Sequence, residues 1–297
     1  HKFSIMLLKD GTVWGIGRNV YGELGTLNYS NKVLPAQMDE IANAVRVQAN
    51  SSSSSVQIGN GTVWTTGYNQ HGTLGQNAVN TGSSAASQGR NAANPVVNST
   101  RNGILTNVVK LVGGLHQTVV LQEDNTVYTW GYNHAGQLGV GNTTTYSYPV
   151  KPKLAATGLE ITDKVVNIGA SGYRTILQIV DEQKEKHTLI TGYNNYGQLG
   201  NNTTTNATSF IPVNDKNNEE EAKELDILPD DSRATNHTGY IDENGTVWTV
   251  GLNNYGQLGD DTVYQRKNIV QIGETELKVK EIIFTMNPED TKQIESY

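Results

Sequence analysis

The chain contains no cysteine, which excludes a disulfide framework and any thiolate metal site. Proline is sparse, with seven in 297 residues, and charged residues make up only 17%. Polarity therefore comes from Asn, Thr, Ser, Gln and Tyr, and with 31 glycines this is a turn-rich β composition. Basic residues are outnumbered, 22 against 29 acidic, for a net charge of −7. Without a broad cationic field to neutralise phosphates, no nucleic-acid partner is expected. No apolar run approaches the ~20 residues of a membrane span, so membrane insertion is not expected. The chain begins at His1 with neither an initiator Met nor a basic, apolar leader, and it is taken as a processed or excised portion of something longer.

What is present is a repeat. The nine-residue pattern Gly-x-Asn-x-x-Gly-x-Leu-Gly occurs five times. It reads GRNVYGELG (Gly17, Asn19, Gly22, Leu24, Gly25), GYNQHGTLG (Gly67, Asn69, Gly72, Leu74, Gly75) and GYNHAGQLG (Gly131, Asn133, Gly136, Leu138, Gly139). The last two are GYNNYGQLG (Gly192, Asn194, Gly197, Leu199, Gly200) and GLNNYGQLG (Gly251, Asn253, Gly256, Leu258, Gly259). Successive copies start 50, 64, 61 and 59 residues apart, a period in the range of repeat architectures.

The flanks correspond as well. DGTVW, NGTVW, DNTVY and NGTVW precede four of the motifs, and Asp-Gly or Asn-Gly supplies the positive φ of a tight hairpin. In the fourth copy, KHTLI follows a longer turn in the charged DEQKEK stretch. Each turn has a strand upstream (SIMLLK, SSVQIG, QTVVLQ, RTILQI and a polar version ending GYID). Each motif has a Pro- or Val-marked strand downstream (VLPAQM, NPVVN, YPVKP, FIPVN, NIVQI), followed by an alternating strand (AVRVQA, VVKLVG, VVNIGA, ELDILP, VKEIIF). Four short strands per period predict one four-stranded sheet. Sheets so short must stack on one another to bury both faces. Motif glycines are expected at sharp turns or close approaches between sheets, and the motif Leu as an apolar plug.

These motifs, preceded by DGTVW and followed by paired Val/Ile strands, resemble the regulator-of-chromosome-condensation repeat family along essentially the whole chain. The resemblance implies an all-β fold, a β-propeller of four-stranded blades forming one domain over residues 1–297. Familiar members have seven blades, whereas this chain carries five motifs. The strand Val279 to Phe284 either completes the first blade as a closure strand, or the TKQIESY that follows it begins a sixth. Two insertions interrupt the period. The one between Gly75 and Val108 reads as a flexible polar surface loop. The one between Gly200 and Gly239, with EEEAKELDILPDD, reads as a short helical turn before an acidic loop.

Catalytic chemistry finds little support. The six histidines, His1, His71, His116, His134, His187 and His237, fall at unrelated chain positions with no nucleophile-elbow pattern, so no catalytic residue is assigned. His71 and His134 occupy the motif in adjacent repeats, as a shared ligand or metal position or, with better odds, as polar loop residues. Asp260 and Asp261, with Asn142 and Asn201 at similar places, offer oxygen ligands for a hard cation, but one carboxylate-bearing copy is poor support. No metal or cofactor is assigned. Trp14, Trp64 and Trp248, with Tyr128 in the third copy, share a strand position and are expected in the core.

The variable motif positions carry the binding hypothesis. Tyr68, Tyr132 and Tyr193 follow the first Gly, and Tyr21, Tyr196 and Tyr255 precede the second. Amphipathic Tyr rings beside Asn, with His71 and His134, suit a protein interface. The expected function is a non-enzymatic scaffold, secreted or surface-displayed by a bacterium, with a protein partner or self-association. The alternatives are a structural module of a larger surface or filament protein and, as the resemblance implies, a guanine-nucleotide exchange factor.

Overall fold

A computed structural model describes residues 2–155, 161, 163–213, 236–242 and 244–272, and the backbone of 225–227. The expected closure strand, Val279 to Phe284, lies outside the described residues, as does most of EEEAKELDILPDD.

The described residues form five antiparallel sheets. The first has three strands, β1 (Phe3–Leu7), β2 (Val13–Gly17) and β3 (Lys32–Gln37). The second has four, β4 (Ala44–Ala49), β5 (Ser53–Ile58), β6 (Val63–Tyr68) and β7 (Gly89–Pro95), with the short helix α1 (Ala85–Gln88) between the last two. The third comprises β8 (Val108–Gly113), β9 (Gln117–Gln122), β10 (Val127–Gly131) and β11 (Tyr146–Val150). The fourth comprises β12 (Lys164–Ser171), β13 (Arg174–Val180), β14 (Lys186–Gly192) and β15 (Ala207–Pro212). The fifth comprises β16 (Leu225–Ile227), β17 (His237–Asp242), β18 (Val247–Gly251) and β19 (Arg266–Gln271). Each sheet is a meander, as the four-strand period predicts.

The first insertion differs from its expectation. It holds α1, whose start is fixed by a reciprocal Ser84–Ser87 capping box, and then β7. The downstream strand therefore runs over Gly89–Pro95, with Val97 only in an isolated bridge to Ile104. Small polar residues here pair with β6 because the motif turn before them delivers the chain to that edge. In the second insertion Leu225–Ile227 is a strand paired with β17, where ELDILP was expected to supply one.

The hairpin turns form as their sequences dictate. Asp10 Oδ1 accepts both the amide and the hydroxyl of Thr12, and Asn60 does the same for Thr62. Trp64 and Trp248 pack against core clusters as expected, but they and Trp14 are only partly buried. The indole N–H groups of Trp14, Trp64 and Trp248 donate to Thr12, Thr62 and Asp242 respectively, so each ring must keep one edge at the turn. The fully buried tryptophan is Trp130.

The chain divides into two compact units, residues 1–134 with 144–151, and 135–143 with 152–297. In the first unit, Val13, Met38, Ile41, Ala44 and Val56 fill the space between the first two sheets. Val63, Val96, Leu111, Val120 and Trp130 fill that between the second and third. In the second unit, Ile176, Ile190, Leu199, Tyr240, Val250 and Ile269 form the core between the fourth and fifth. All five motif leucines are fully buried.

The motif organises every sheet in the same way. Its first Gly sits at a register shift between the strand that leads into the motif and the strand that follows it, with φ between +103° (Gly67) and +114° (Gly251). A side chain on Gly131 would meet the His116 carbonyl oxygen at 2.3 Å. The motif Asn is fully buried in all five copies. Asn194 shows why: its Oδ1 accepts the Leu199 amide at 2.9 Å and its Nδ2 donates to the carbonyls of Thr203 and Thr205. Asn19, Asn69 and Asn253 repeat both bonds, and Asn133 donates to Thr144 O. The carboxamide thus replaces backbone pairing inside a buried turn, which only a side chain with both donor and acceptor can do.

The turn then docks on the following sheet. A Cβ on Gly22 would lie 2.3 Å from Arg90 O, and one on Gly136 2.4 Å from Ala207 O. Ser54 donates its hydroxyl to Glu23 O, Thr175 to Gln137 O and Thr238 to Gln198 O. Asn194→Ala strands the buried Leu199 amide and removes the donor to the part-buried Thr203 and Thr205 carbonyls, so it should lower stability by roughly 1–3 kcal/mol. The exposed neighbour, Asn195→Ala, should change it by less than about 0.5 kcal/mol. Urea denaturation of both variants checks this, and equal effects would refute the assigned role of the Asn.

Candidate functional site

In the second to fourth sheets the residue after the first motif Gly bonds the turn joining the first two strands of its sheet: Tyr68 N donates to Ser52 O, Tyr132 N to His116 O and Tyr193 N to Tyr173 O. In the first unit this geometry gathers residues far apart in sequence. Tyr21 and Tyr68 meet edge-to-face with ring centroids 5.0 Å apart. Tyr68 lies 5.6 Å from His71 and 5.7 Å from His116. Tyr132 carries two stacked imidazoles, His71 at 4.3 Å and His134 at 4.4 Å. Two rings at such a distance must take opposite faces of the phenol. His116 completes the cluster, 5.8 Å from His71 and 6.4 Å from Tyr132.

The histidines of the cluster therefore do not fall at unrelated positions in space, as their spacing suggested. His116 was not singled out in the sequence because it lies outside the motif, on the β8–β9 turn. The signal that could find it is the pairing of the first motif Gly with that turn: Tyr132 N donates to His116 O at 2.9 Å, which brings the two turns together.

Charge is managed at the cluster's border. The Arg18 guanidinium lies over the Tyr21 ring at 5.0 Å and donates to Glu23 Oε1 at 2.8 Å and to Ser52 Oγ. Glu23, fully buried, also accepts the Tyr21 amide. Gln137, Gln198 and Gln257 use the same motif position to accept the amide two residues before, so this Glu is a turn cap and not a free acid.

Burial holds all three imidazoles toward the neutral form. It lowers His71 and, helped by nearby His71, His134. Burial, then the proximity of His71 and His134, pushes His116 down to about 3. The Tyr68 phenol, whose oxygen lies 2.5 Å from Gln70 Oε1, is pushed up to about 12 by burial and then by Tyr21 and Tyr132. At neutral pH the cluster is thus an uncharged, amphipathic surface. Two imidazolium charges 5.8 Å apart would repel by about 3 kcal/mol at an effective dielectric near 20. That exceeds the roughly 0.5–1 kcal/mol of an exposed cation–ring contact.

In the second unit the expected tyrosines are sparser. Tyr193 and Tyr196 meet at 6.4 Å, while Tyr255 is 78% exposed. Here a buried cation was missed by the sequence reading. Arg174, fully buried, donates to Ser171 O and Oγ, to His237 O and to Thr238 Oγ1. Burial, then this guanidinium, pushes His237 down to about 4. These contacts tie the fourth sheet to the fifth.

The oxygen-rich positions weighed for a cation are turn caps. Asp260 accepts from Asn253 Nδ2, from the Thr262 amide and hydroxyl and from Arg266 Nε, and Asn201 accepts from Asn194 and Thr203. Asp181, Glu185 and His187 place one ligand atom each within 4.8 Å of one another. Asp181 is committed there to closing the long fourth hairpin, accepting from Glu185 N and pairing with His187 Nε2 at 2.9 Å.

With this geometry in view, residues 124–177 match the model of the Regulator of chromosome condensation (RCC1) repeat. The E3 ubiquitin-protein ligase MYCBP2 of Danio rerio is 34% identical over 149 residues, 50% of this chain but 3% of that protein. Human WBSCR16 shares the fold with a TM-score of 0.67 at 17% identity, over 93% of this chain and 66% of that one. Yeast RCC1 (Prp20), solved bound to Kap60, does so with a TM-score of 0.62 at 16% identity, over 92% and 62%. The likeness is one of fold, and the sheets are propeller blades. Among the described residues no helix is long and apolar enough to cross a membrane.

Asp260→Ala removes four accepted hydrogen bonds at the edge of a buried turn and should cost about 1–3 kcal/mol of stability. Calcium or a chelator should leave the thermal midpoint of the wild-type chain unchanged. A calcium-dependent rise in that midpoint, lost in Asp260→Ala, would restore the cation reading.

Proposed function

We propose that the chain is a non-enzymatic protein-binding scaffold, its repeats serving as one propeller domain displayed outside the cell or on its surface. One observation carries this reading: Tyr21, Tyr68, His71, His116, Tyr132 and the exposed His134 form a continuous ring cluster at the motif turns of three successive blades. Rigid aromatic side chains with polar tips give large contact area at low entropic cost, the composition of an interface centre. Yeast RCC1, a propeller of the same fold, is held by a protein partner in its complex with Kap60. The acidic, cysteine-free, Asn- and Thr-rich composition favours the extracellular placement and disfavours a chromatin surface.

The reading is tested by capture of proteins from the source organism's envelope and medium. Tyr132→Ala, with an unchanged circular dichroism spectrum, should weaken retention of the captured partner at least ~10-fold, the size of a hot-spot loss. Val33→Ser, on the 91% exposed outer position of β3, should leave it unaltered. The opposite pattern would move the interface to the β3 edge, and capture of this chain alone would favour a structural module.

A further inference from the structure

The three imidazoles of the turn cluster share one environment, and this gives them a joint property that none has alone. His71 and His134 sandwich Tyr132, and His116 sits within 5.8 Å of His71 and 6.4 Å of Tyr132. The four turns that meet here contribute Arg18, Tyr21 and Glu23, then Tyr68 and His71, then His116, then Tyr132 and His134 as their titratable or charged groups. The carboxylate among them, Glu23, is engaged by Arg18 at 2.8 Å and by the Tyr21 amide. The two charges compensate each other, and the Arg18 guanidinium of this pair lies over Tyr21.

We infer that the His71–Tyr132–His134 stack, with His116 against it, is an acid-sensitive clasp: it holds the turn face closed and uncharged at neutral pH and opens when its imidazoles take up protons. What the clasp regulates rests on the protein-binding reading, but its existence does not. The driving force is repulsion between imidazolium groups, His71 and His116 lying 5.8 Å apart, added to the cost of charging partly desolvated rings. The first proton can be tolerated as a cation stacked on Tyr132. The second cannot, because it falls on a ring in contact with the same phenol or with the first imidazolium.

The direction of the pH dependence follows. Burial and mutual proximity lower the affinity of His71, His116 and His134 for protons in the folded state. The unfolded or opened chain therefore binds more protons, and the closed state is fully favoured above the ordinary histidine value of about 6.5. It loses that advantage progressively as the pH falls below this value toward the folded-state value of His116, about 3.

Aromatic NMR of the whole chain tests the clasp without any partner. Between His71 and His134, the Tyr132 ring protons carry an upfield ring-current displacement at neutral pH. On acidification from about pH 8 to about pH 4.5 that displacement should fall by at least about half, with a midpoint below the ordinary histidine value. Amide signals of the fourth and fifth sheets, apart from residues beside His187 and His237, should stay in place. The double variant His71→Phe with His134→Phe keeps two rings on Tyr132 and removes their protonation, so its displacement should persist at acid pH. Dispersed amide spectra at neutral pH establish that the variant folds, and His134→Phe alone, at an exposed position, serves if the double variant does not. Its transition should then move lower in pH. Tyr132 signals unmoved in the wild type, or the same transition in the phenylalanine variants, would overturn the inference. Failure of partner capture with the NMR transition intact would instead count against the binding reading alone.

Discussion

The fold depends on a buried carboxamide. In each of the five motif turns the Asn side chain is fully buried. In four of them it accepts the amide of the motif Leu and donates to a carbonyl nine to eleven residues onward. A turn buried between two sheets has no water to satisfy its backbone, and each unpaired group would cost about 1–3 kcal/mol. By closing that account internally the Asn lets the turn be packed on both sides. The Leu beneath can then enter the core, the central Gly can let the next sheet's backbone come within contact, and the last Gly leaves room for core side chains. Hydroxyls of the next sheet then bond the turn's carbonyls, so local turn structure and sheet-to-sheet packing are one interaction seen from two sides.

Function follows from what this constraint leaves free. Asn, Leu and the three glycines are fixed by packing, and the motif residue after the central Gly is recruited as a cap in Glu23, Gln137, Gln198 and Gln257. The second, fourth and fifth motif positions are not held by these bonds, and apart from the buried Ala135 their side chains reach the surface at least in part. In the first unit they carry Tyr68, His71, Tyr132 and His134, which meet as a ring cluster. In the second they carry Tyr193 and Tyr196, which meet at 6.4 Å, and the exposed Tyr255. The scaffold is general, and the chemistry sits at positions the scaffold does not need.

Much of the fold was legible because the repeat exposes its own logic. DGTVW states a hairpin through the positive φ of Gly11 and Gly61, and the five motif leucines announce five buried turns. Less legible were features set by tertiary context. Strand β7 is made of small polar residues, GRNAANP, and is a strand only because the preceding turn lays it along β6. The indoles of Trp64 and Trp248 pack against the core as their type suggests, yet a turn hydroxyl or carboxylate holds one edge of these rings and of Trp14 at the turn. Within the site, the motif tyrosines and His71 and His134 could be picked out by their recurrence. His116 and Arg174 could not, since they occupy hairpin positions where the other repeats carry unrelated residues, and only the pairing of turns in space gives them neighbours.

The measurement that tests the central claim most directly is amide hydrogen exchange of the chain alone and in complex with its captured partner. The account predicts new protection concentrated at the turn tips around Tyr21, Tyr68 to His71, His116 and Tyr132 to His134, with the β3 edge at Val33 and Leu34 unchanged. Protection confined to that edge, or spread evenly over all five motif turns, would contradict the assignment of the ring cluster as the binding face.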